Sequence, residues 1–421
     1  VRRGVASEDA PGLAATAAAA AGRPAAARRL RVVHVIDSLS AAGGAENRLV
    51  DEVVALGDRF DQALVRLFER DDLEPRLVEA GVPVVALGFH AFRAGRRWPL
   101  IARRLVPVLR ELRPDVVHTS LFTANLVGQI AGARLGVPVV STFNRSGDAR
   151  VLQGLAPQLT SWKARLMHRA ARTAARRGDV HFRAVGAHAR DTNCALLGLP
   201  TTVATVVRRG VDVDGIAAGA AGAGRAAFGL PDGVPLFVNV ARLVPEKAQH
   251  LLVEAFARVR AELPDARLAI AGAPGPAEGA VGAAVERTGT GDAVALLGHR
   301  SDARALVAAA DVFAFSSLSE GLPGAVVEAL VLGTPVAAFA IPPVAELTEG
   351  DRHAWLAEPG DPDALAAAML AAWRAPDRRE RARAAQAWAR RTYALDAVAR
   401  DLGDLLESRA VGARAGAGVR P

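Results

Sequence analysis

Residues 311–328 read Asp311-Val312-Phe313-Ala314-Phe315-Ser316-Ser317-Leu318-Ser319-Glu320-Gly321-Leu322-Pro323-Gly324-Ala325-Val326-Val327-Glu328. Val312–Phe315 is a short run of apolar residues without alternation, which suits a strand buried on both faces. Gly321 and Pro323 then mark a turn, Pro323 fits a first helical turn, and Ala325–Leu332 continues as an apolar helix. Strand, turn and helix in that order make one unit of a parallel sheet covered by helices. The same unit repeats on either side. Leu236–Ala241, Leu268–Ala271, Val294–Leu297 and Val336–Phe339 are strand-like, with helical stretches such as Lys247–Glu262 and Asp302–Ala309 between them. Upstream, Val32–Ile36, Ala63–Leu67, Val84–Leu87, Val116–His118 and Val137–Thr142 form a first series of the same type. The predicted fold class is α/β, with two Rossmann-like, doubly wound domains facing across a cleft.

The boundaries follow from composition. Residues 1–30, rich in Ala, Arg, Gly and Pro, are expected to be a disordered extension. Residues 31–210 form the expected N-terminal domain and 211–375 the C-terminal one. The expected hinge is Val211–Val234, where Gly and Ala crowd together before the turn Pro231-Asp232-Gly233. Helices over 376–408 are expected to fold back on the first domain, and 409–421 to be a disordered tail. A length of 421 residues suits two domains better than one core.

The formal charge of +8 raises the question of a nucleic-acid partner. About +4 of it precedes the first strand and +3 follows Ser408, which leaves about +1 for the folded body, so no nucleic-acid partner is expected. The single cysteine, Cys194, rules out an internal disulfide and a cysteine zinc cluster. No apolar run reaches the ~18 to 20 residues of a membrane-spanning helix, and the expected location is cytoplasmic, extending to the inner face of the membrane.

The chemistry concentrates where the sheets should end. Around Gly321 and Leu322 the chain passes from loop to helix, so backbone amides without intrahelical partners can face an anion. Glu320 and Glu328 are eight residues apart and do not share a helical face; Glu320 belongs to the loop, Glu328 to the helix, and they should meet different parts of a ligand. Carboxylates accept hydrogen bonds from vicinal hydroxyls, which suits a sugar and a ribose. Helix capping by Glu320 and a solvated Glu328 are the alternative reading. A second run, Asn239-Val240-Ala241-Arg242-Leu243-Val244-Pro245-Glu246-Lys247, delivers at a strand end an arginine and one of only two lysines. Together they can neutralise a diphosphate leaving group.

The combination of Arg242 and Lys247, Leu297-Gly298-His299-Arg300, Ala310-Asp311-Val312, and Glu320 and Glu328 at an E-x7-E spacing resembles the retaining glycosyltransferases of family 4. The resemblance covers roughly residues 31–405 and implies the GT-B architecture. It implies that Arg242 and Lys247 hold the donor diphosphate, that the backbone near His299 borders the base, and that Glu328 binds ribose. It further implies that Glu320, with Gly321, Leu322 and Pro323, meets the transferred sugar and phosphate. In the first domain, Ala42-Gly43-Gly44-Ala45-Glu46 matches the family's glycine loop, which places Gly43 and Gly44 under the donor phosphates. His118, at a strand end, is implied to orient the sugar or stabilise charge. Two positions depart from the common pattern: Ser120 stands where a second histidine is frequent, and Phe143 where another is often seen.

The expected reaction is therefore transfer of a glycosyl group, with retention, from a UDP- or GDP-sugar co-substrate to an acceptor hydroxyl. No cofactor or metal is expected, because Asp212-Val213-Asp214 lies at the hinge and Asp361-Pro362-Asp363 reads as a helix cap. A sugar-nucleotide epimerase or hydrolase, and a non-catalytic nucleotide-sugar-binding protein, are the alternatives. Two basic stretches in the first domain, Arg96 to Arg113 around Trp98 and Leu100, and Lys163 to Arg177 around Trp162 and Leu166, fit either solvated helix faces or peripheral contact with an anionic membrane. The second use would suit a lipid-linked or polysaccharide acceptor and a role in cell-envelope or polysaccharide biosynthesis.

Overall fold

Apolar strands such as Val32-Val33-His34-Val35-Ile36 must be shielded on both faces, and a parallel sheet between helix layers does this. The computed structural model describes residues 28–41, 43–90, 94–147, 162–222 and 224–417. The first sheet comprises β1 (Arg31–Ile36), β2 (Asp61–Phe68), β3 (Val84–Phe89), β4 (Val116–Ser120), β5 (Val139–Phe143), β6 (Val180–Ala184) and β7 (Ala204–Val206), in the order 3-2-1-4-5-6-7. The second comprises β8 (Leu236–Val240), β9 (Arg267–Ala271), β10 (Val294–Gly298), β11 (Val312–Phe315), β12 (Val336–Phe339) and β13 (Trp355–Ala357), in the order 10-9-8-11-12-13. Every pairing within the two sheets is parallel. The strand order reverses at β1/β4 and at β8/β11, the places where such sheets open a crevice beyond their carboxyl ends.

The expected flexible segments are more ordered than their composition indicates. Arg28 pairs with Asp115 at 3.1 Å and Arg29 with Asp58 at 3.0 Å, while Leu30 packs against a buried cluster; residues 1–27 lie outside the described residues. Ile216, Phe228 and Leu230, in the stretch read as a hinge, are buried in the second core. The chain instead crosses between domains at Val207–Val211 and returns at Tyr393–Leu395. The two crossings hydrogen-bond each other: the Val211 amide donates to the Tyr393 carbonyl at 2.8 Å and the Leu395 amide to the Val211 carbonyl at 3.0 Å.

The C-terminal helices divide between the domains. Helix Arg378–Thr392 stays with the second domain, where Ala385, Trp388 and Ala389 join its core. Helix Leu395–Ala417 returns to the first, burying Val398, Leu402, Leu406 and Ala410 against Val32, Val116 and Val140. The tail expected from residue 409 is thus helical through Ala417, because Ala410 extends the buried stripe and Arg409 pairs with Asp179.

Strand β6 carries a polar residue into the interior. Arg183 and Glu52 are 1% and 0% exposed and meet in a bidentate pair at 2.6 and 2.7 Å. The Arg183 guanidinium also donates to the carbonyls of Val207, at 3.1 Å, and Arg208. Burial pushes the Glu52 carboxyl up, but the Arg183 guanidinium outweighs this and holds it below its ordinary value. Removing one partner strands a buried charge, whereas replacing both by apolar groups does not. Arg183→Met should therefore lower unfolding free energy by roughly 3–5 kcal/mol, and combined Glu52→Leu and Arg183→Met should recover most of the loss in denaturant titrations.

Candidate functional site

The two sheet crevices face each other, and each presents a turn that opens a helix. After β1, helix Gly44–Leu56 begins at Gly43 without a side-chain cap, leaving its first-turn amides open to an anion. The Glu46 carboxylate lies against Gly43, where a Cβ would meet it at 2.1 Å. After β11, helix Gly324–Leu332 also lacks a side-chain cap. Its preceding loop is tied to the one after β8: the Leu318 amide donates to the Glu246 carbonyl at 2.9 Å, and Ser316 Oγ to the Lys247 carbonyl at 2.8 Å.

This brings Arg242, Lys247, Glu320 and Glu328 to the carboxyl ends of neighbouring strands. Lys247 Nζ donates to Glu320 Oε1, both side chains being less than one-fifth exposed, and the ammonium lies 5.9 Å from the centroid of the Phe315 ring. Arg242 is exposed at the end of β8 and has no ion-pair partner among the described residues. Glu320 lies in the loop and Glu328 on the helix, and they have different partners. Glu328 Oε1 accepts from Arg304 at 3.3 Å and, across the cleft, from Arg48 of the first domain at 3.5 Å. Gly321 touches the first domain: a Cβ there would stand 2.2 Å from the Asn144 carbonyl oxygen, so any larger residue would force the domains apart. Leu322 lines a small adjoining interdomain crevice with Gly186, His188, Arg208 and Tyr393. Pro323 is buried at the helix start, and His299 is exposed at the end of β10, two strands from β8.

His118 is not a cleft residue. Its side chain is 1% exposed and shares a sheet face with His34, since the two are register partners on β4 and β1. The hydrogen bonds around it fix a single proton arrangement. The Gln62 amide donates to the carbonyls of Val53 at 3.1 Å and Gly57 at 3.0 Å, so its Oε1 accepts from His34 Nε2, at 3.1 Å. His34 Nδ1 is then the acceptor for His118 Nδ1–H at 3.0 Å, and His118 Nε2 accepts from Thr142 Oγ1 at 3.0 Å. Both imidazoles are neutral: burial pushes His34 down to about 4 and His118 well below its ordinary value. With its nitrogens satisfied inside the sheet, His118 cannot touch a sugar. Ser120, also buried, accepts from Asn144 Nδ2 at 3.0 Å, and Phe143 stacks on Phe182 with centroids 4.3 Å apart.

Several residues that shape the cleft carried no separate signal in the sequence reading. Arg48 follows Gly44 by one helical turn. Arg209 donates to the Ala45 carbonyl at 3.1 Å and to Asn144 Oδ1. Glu346 of the second domain caps the first-domain helix Ala187–Leu197, accepting from the amides of Ala187 at 2.7 Å and His188 at 3.2 Å. The paired aspartates cap helices: Asp212 Oδ1 accepts from the Gly215 amide at 2.8 Å, and Asp361 Oδ1 from the Asp363 amide at 2.8 Å.

Comparison with known proteins matches this geometry. Residues 42–214 match the family model described as Glycosyltransferase Family 4, and residues 223–387 the one described as Glycosyl transferases group 1. Between them the two matches cover both domains of the chain, and the architecture is the GT-B fold. Among curated relatives, the D-inositol 3-phosphate glycosyltransferase of Mycobacterium tuberculosis strain H37Rv is 31% identical over 240 residues, 54% of this chain and 47% of the relative. The match thus spans about half the length of that relative. Among solved structures, Anabaena Alr3699/HepE in complex with UDP aligns with a TM-score of 0.75 at 22% identity, covering 90% of this chain and 100% of that one. WaaG, a glycosyltransferase involved in lipopolysaccharide biosynthesis, aligns with a TM-score of 0.68 at 15% identity, covering 89% and 99%. Both show the shared fold.

The buried imidazoles make the stability of the fold depend on pH. His34 and His118 stay neutral when folded and gain protons on unfolding below about 6.5. Asp37, which caps helix Phe122–Leu135 through the Ala124 amide at 2.7 Å, acts oppositely: burial pushes its carboxyl up to about 6. Two groups that take up protons on unfolding outweigh one that releases its own. Stability should therefore fall as pH drops from about 6.5 towards 4, measured by denaturant titration, and ring nitrogen shifts should show both histidines unprotonated above that window.

Proposed function

We propose that the protein transfers a glycosyl group from a UDP- or GDP-sugar to an acceptor hydroxyl, with retention of anomeric configuration. The observation that carries this reading is the meeting, across one cleft, of two uncapped helix starts with Arg242, Lys247, Glu320 and Glu328. Helix-start amides and cations stabilise a diphosphate, and carboxylates hold hydroxyls. Arg242 and Lys247, with the amides at Gly44, Gly321 and Leu322, would receive the donor diphosphate, Gly43, whose own amide donates to the Ser40 carbonyl at 3.1 Å, would shape the turn beneath it, and Pro323 would set the start of the second helix. Glu320 would position the sugar, Glu328 the ribose, and the backbone near His299 would border the base.

Lys247 must exchange part of its contact with Glu320 for phosphate when donor binds. That exchange brings the glutamate to the sugar and the lysine to the leaving group together. The bond from the anomeric carbon to the phosphate oxygen breaks as the acceptor oxygen bonds to that carbon on the same face. The acceptor's proton passes to the departing phosphate oxygen. The products are the glycoside and the nucleoside diphosphate, and no protein nucleophile takes part.

A lipid-linked acceptor is part of the proposal. Helix Ala94–Leu112 buries Ile101, Leu105 and Leu109 and leaves Arg97, Leu100, Arg103 and Arg110 exposed, so its outer face combines cations with an apolar side chain. Such a face can rest on anionic lipid. No helix among the described residues is long and apolar enough to cross a membrane.

A thermal-shift screen of nucleotide sugars should give a stabilising donor. Lys247→Ala and Glu328→Ala should each lose most of that shift, and persistence of the shift in both would refute the site. With an accepted acceptor, NMR of the product should show the donor's anomeric configuration. In vesicle co-sedimentation, binding should require anionic lipid and weaken when Arg97 and Arg103 are replaced by Ser; equal binding to neutral vesicles would refute the lipid contact.

A further inference from the structure

Arg209 lies where the glycine turn, the end of β5 and the first domain crossing meet. It is 6% exposed. One guanidinium nitrogen donates to the Ala45 carbonyl at 3.1 Å, another to Asn144 Oδ1, and Nε has no partner. Among the described residues no carboxylate forms an ion pair with it; the neighbouring Glu52 is engaged in its bidentate pair with Arg183. Burial lowers the Arg209 guanidinium only to about 10, so it is charged at neutral pH.

The charges of Glu52 and Glu46 reach Arg209, but its hydrogen bonds to Ala45 and Asn144 go to neutral carbonyls and it forms no ion pair among the described residues; the cost of burying such a cation falls further when an anion arrives nearby. The position of Arg209 shows where that anion would sit. Ala45 belongs to the uncapped first turn of helix Gly44–Leu56, and Asn144 is the residue whose carbonyl packs on Gly321. The guanidinium thus stands behind both turns that face the cleft, one from each domain. Arg208, its neighbour, takes the opposite course and lines the interdomain cleft beside Tyr393.

We propose that Arg209 is a positioning residue for the diphosphate of a nucleotide ligand, fixing the glycine turn against the Asn144–Gly321 contact and giving the cleft between them a standing positive charge. The inference rests on the proposed donor site and adds to it a cation outside the Arg242 and Lys247 pair. It separates two roles: the rear-domain cations contact phosphate from the solvent side, while Arg209 acts from within the first domain through the turn it holds.

The test compares UDP with uridine, and GDP with guanosine, by titration calorimetry on the full chain. Arg209→Gln should weaken diphosphate binding by about tenfold or more, the scale of one charge-assisted contact, and leave nucleoside binding within about twofold. Asn144→Asp gives the guanidinium the carboxylate it lacks without enlarging the side chain, and should produce the same selective loss. Arg209→Lys, which keeps the charge, should retain more diphosphate affinity than the glutamine variant. If Arg209→Gln does not fold, the aspartate variant decides. Diphosphate affinity unchanged in these variants, or an equal loss for nucleoside and diphosphate, would overturn the role of Arg209. A wild-type chain that binds neither UDP nor GDP would instead refute the proposed function.

Discussion

One guanidinium holds the geometry on which the cleft depends. Arg183 binds Glu52 on the glycine-turn helix with two nitrogens, and the carbonyls of Val207 and Arg208 on the domain crossing with the remaining donor capacity. Helix, strand β6 and crossing are therefore set by one planar fork, whose bidentate geometry a lysine could not reproduce. The crossing is in turn paired to the returning chain at Tyr393 and Leu395. The charge is fully buried on β6, and its desolvation is offset because each element it touches supplies an acceptor. Displacing any one of them leaves a buried charge unpaired, so the relative placement of the glycine turn and the hinge is tightly specified.

Much of this was legible from residue pattern. The ten strands whose apolar runs are continuous all appear, and the paired series gave two facing sheets. Strands β6, β7 and β13 were missed for physical reasons. β6 reads Val-His-Phe-Arg-Ala, and its polar side chains oppose a strand assignment until Glu52, 131 residues away, is known to neutralise Arg183. β7 and β13 are three-residue strands, too short for periodicity to register. The hinge was misplaced because Gly and Ala content marks backbone freedom, whereas packing is decided by Ile216, Phe228 and Leu230 scattered among the small residues.

The candidate site was legible in the second domain and less so in the first. Glu320, Arg242 and Lys247 lie on two segments that follow adjacent strands and Glu328 on the helix that one of them opens, so spacing along the chain nearly determines their proximity. His118 misled because a strand-end histidine can face either side of the sheet. Its side depends on register with His34, and its engagement depends on Gln62 and Thr142, which the local sequence does not contain. Arg48 and Arg209 act through partners 280 and 65 residues distant, a separation that local motif reading cannot span.

The charges in the cleft are balanced unevenly, and the imbalance has a direction. Lys247 is neutralised by Glu320, Arg48 and Arg304 converge on Glu328, and Arg183 is neutralised by Glu52. Among the described residues neither Arg242 nor Arg209 forms an ion pair; Arg242 is exposed beyond β8 of the second domain, and Arg209 is buried behind the glycine turn of the first. Pairs that can re-form cost little to break, so Lys247 and Glu320 can part when phosphate and sugar hydroxyls replace them. The unpaired guanidinia offer the net attraction that draws an anion in. In the proposed site, a diphosphate beside the glycine turn and the Gly321 turn would be attracted by both guanidinia, next to the contact of Gly321 with Asn144. Anion binding would thus draw on both domains at once in the proposed site, because the guanidinia without an ion pair belong to different domains.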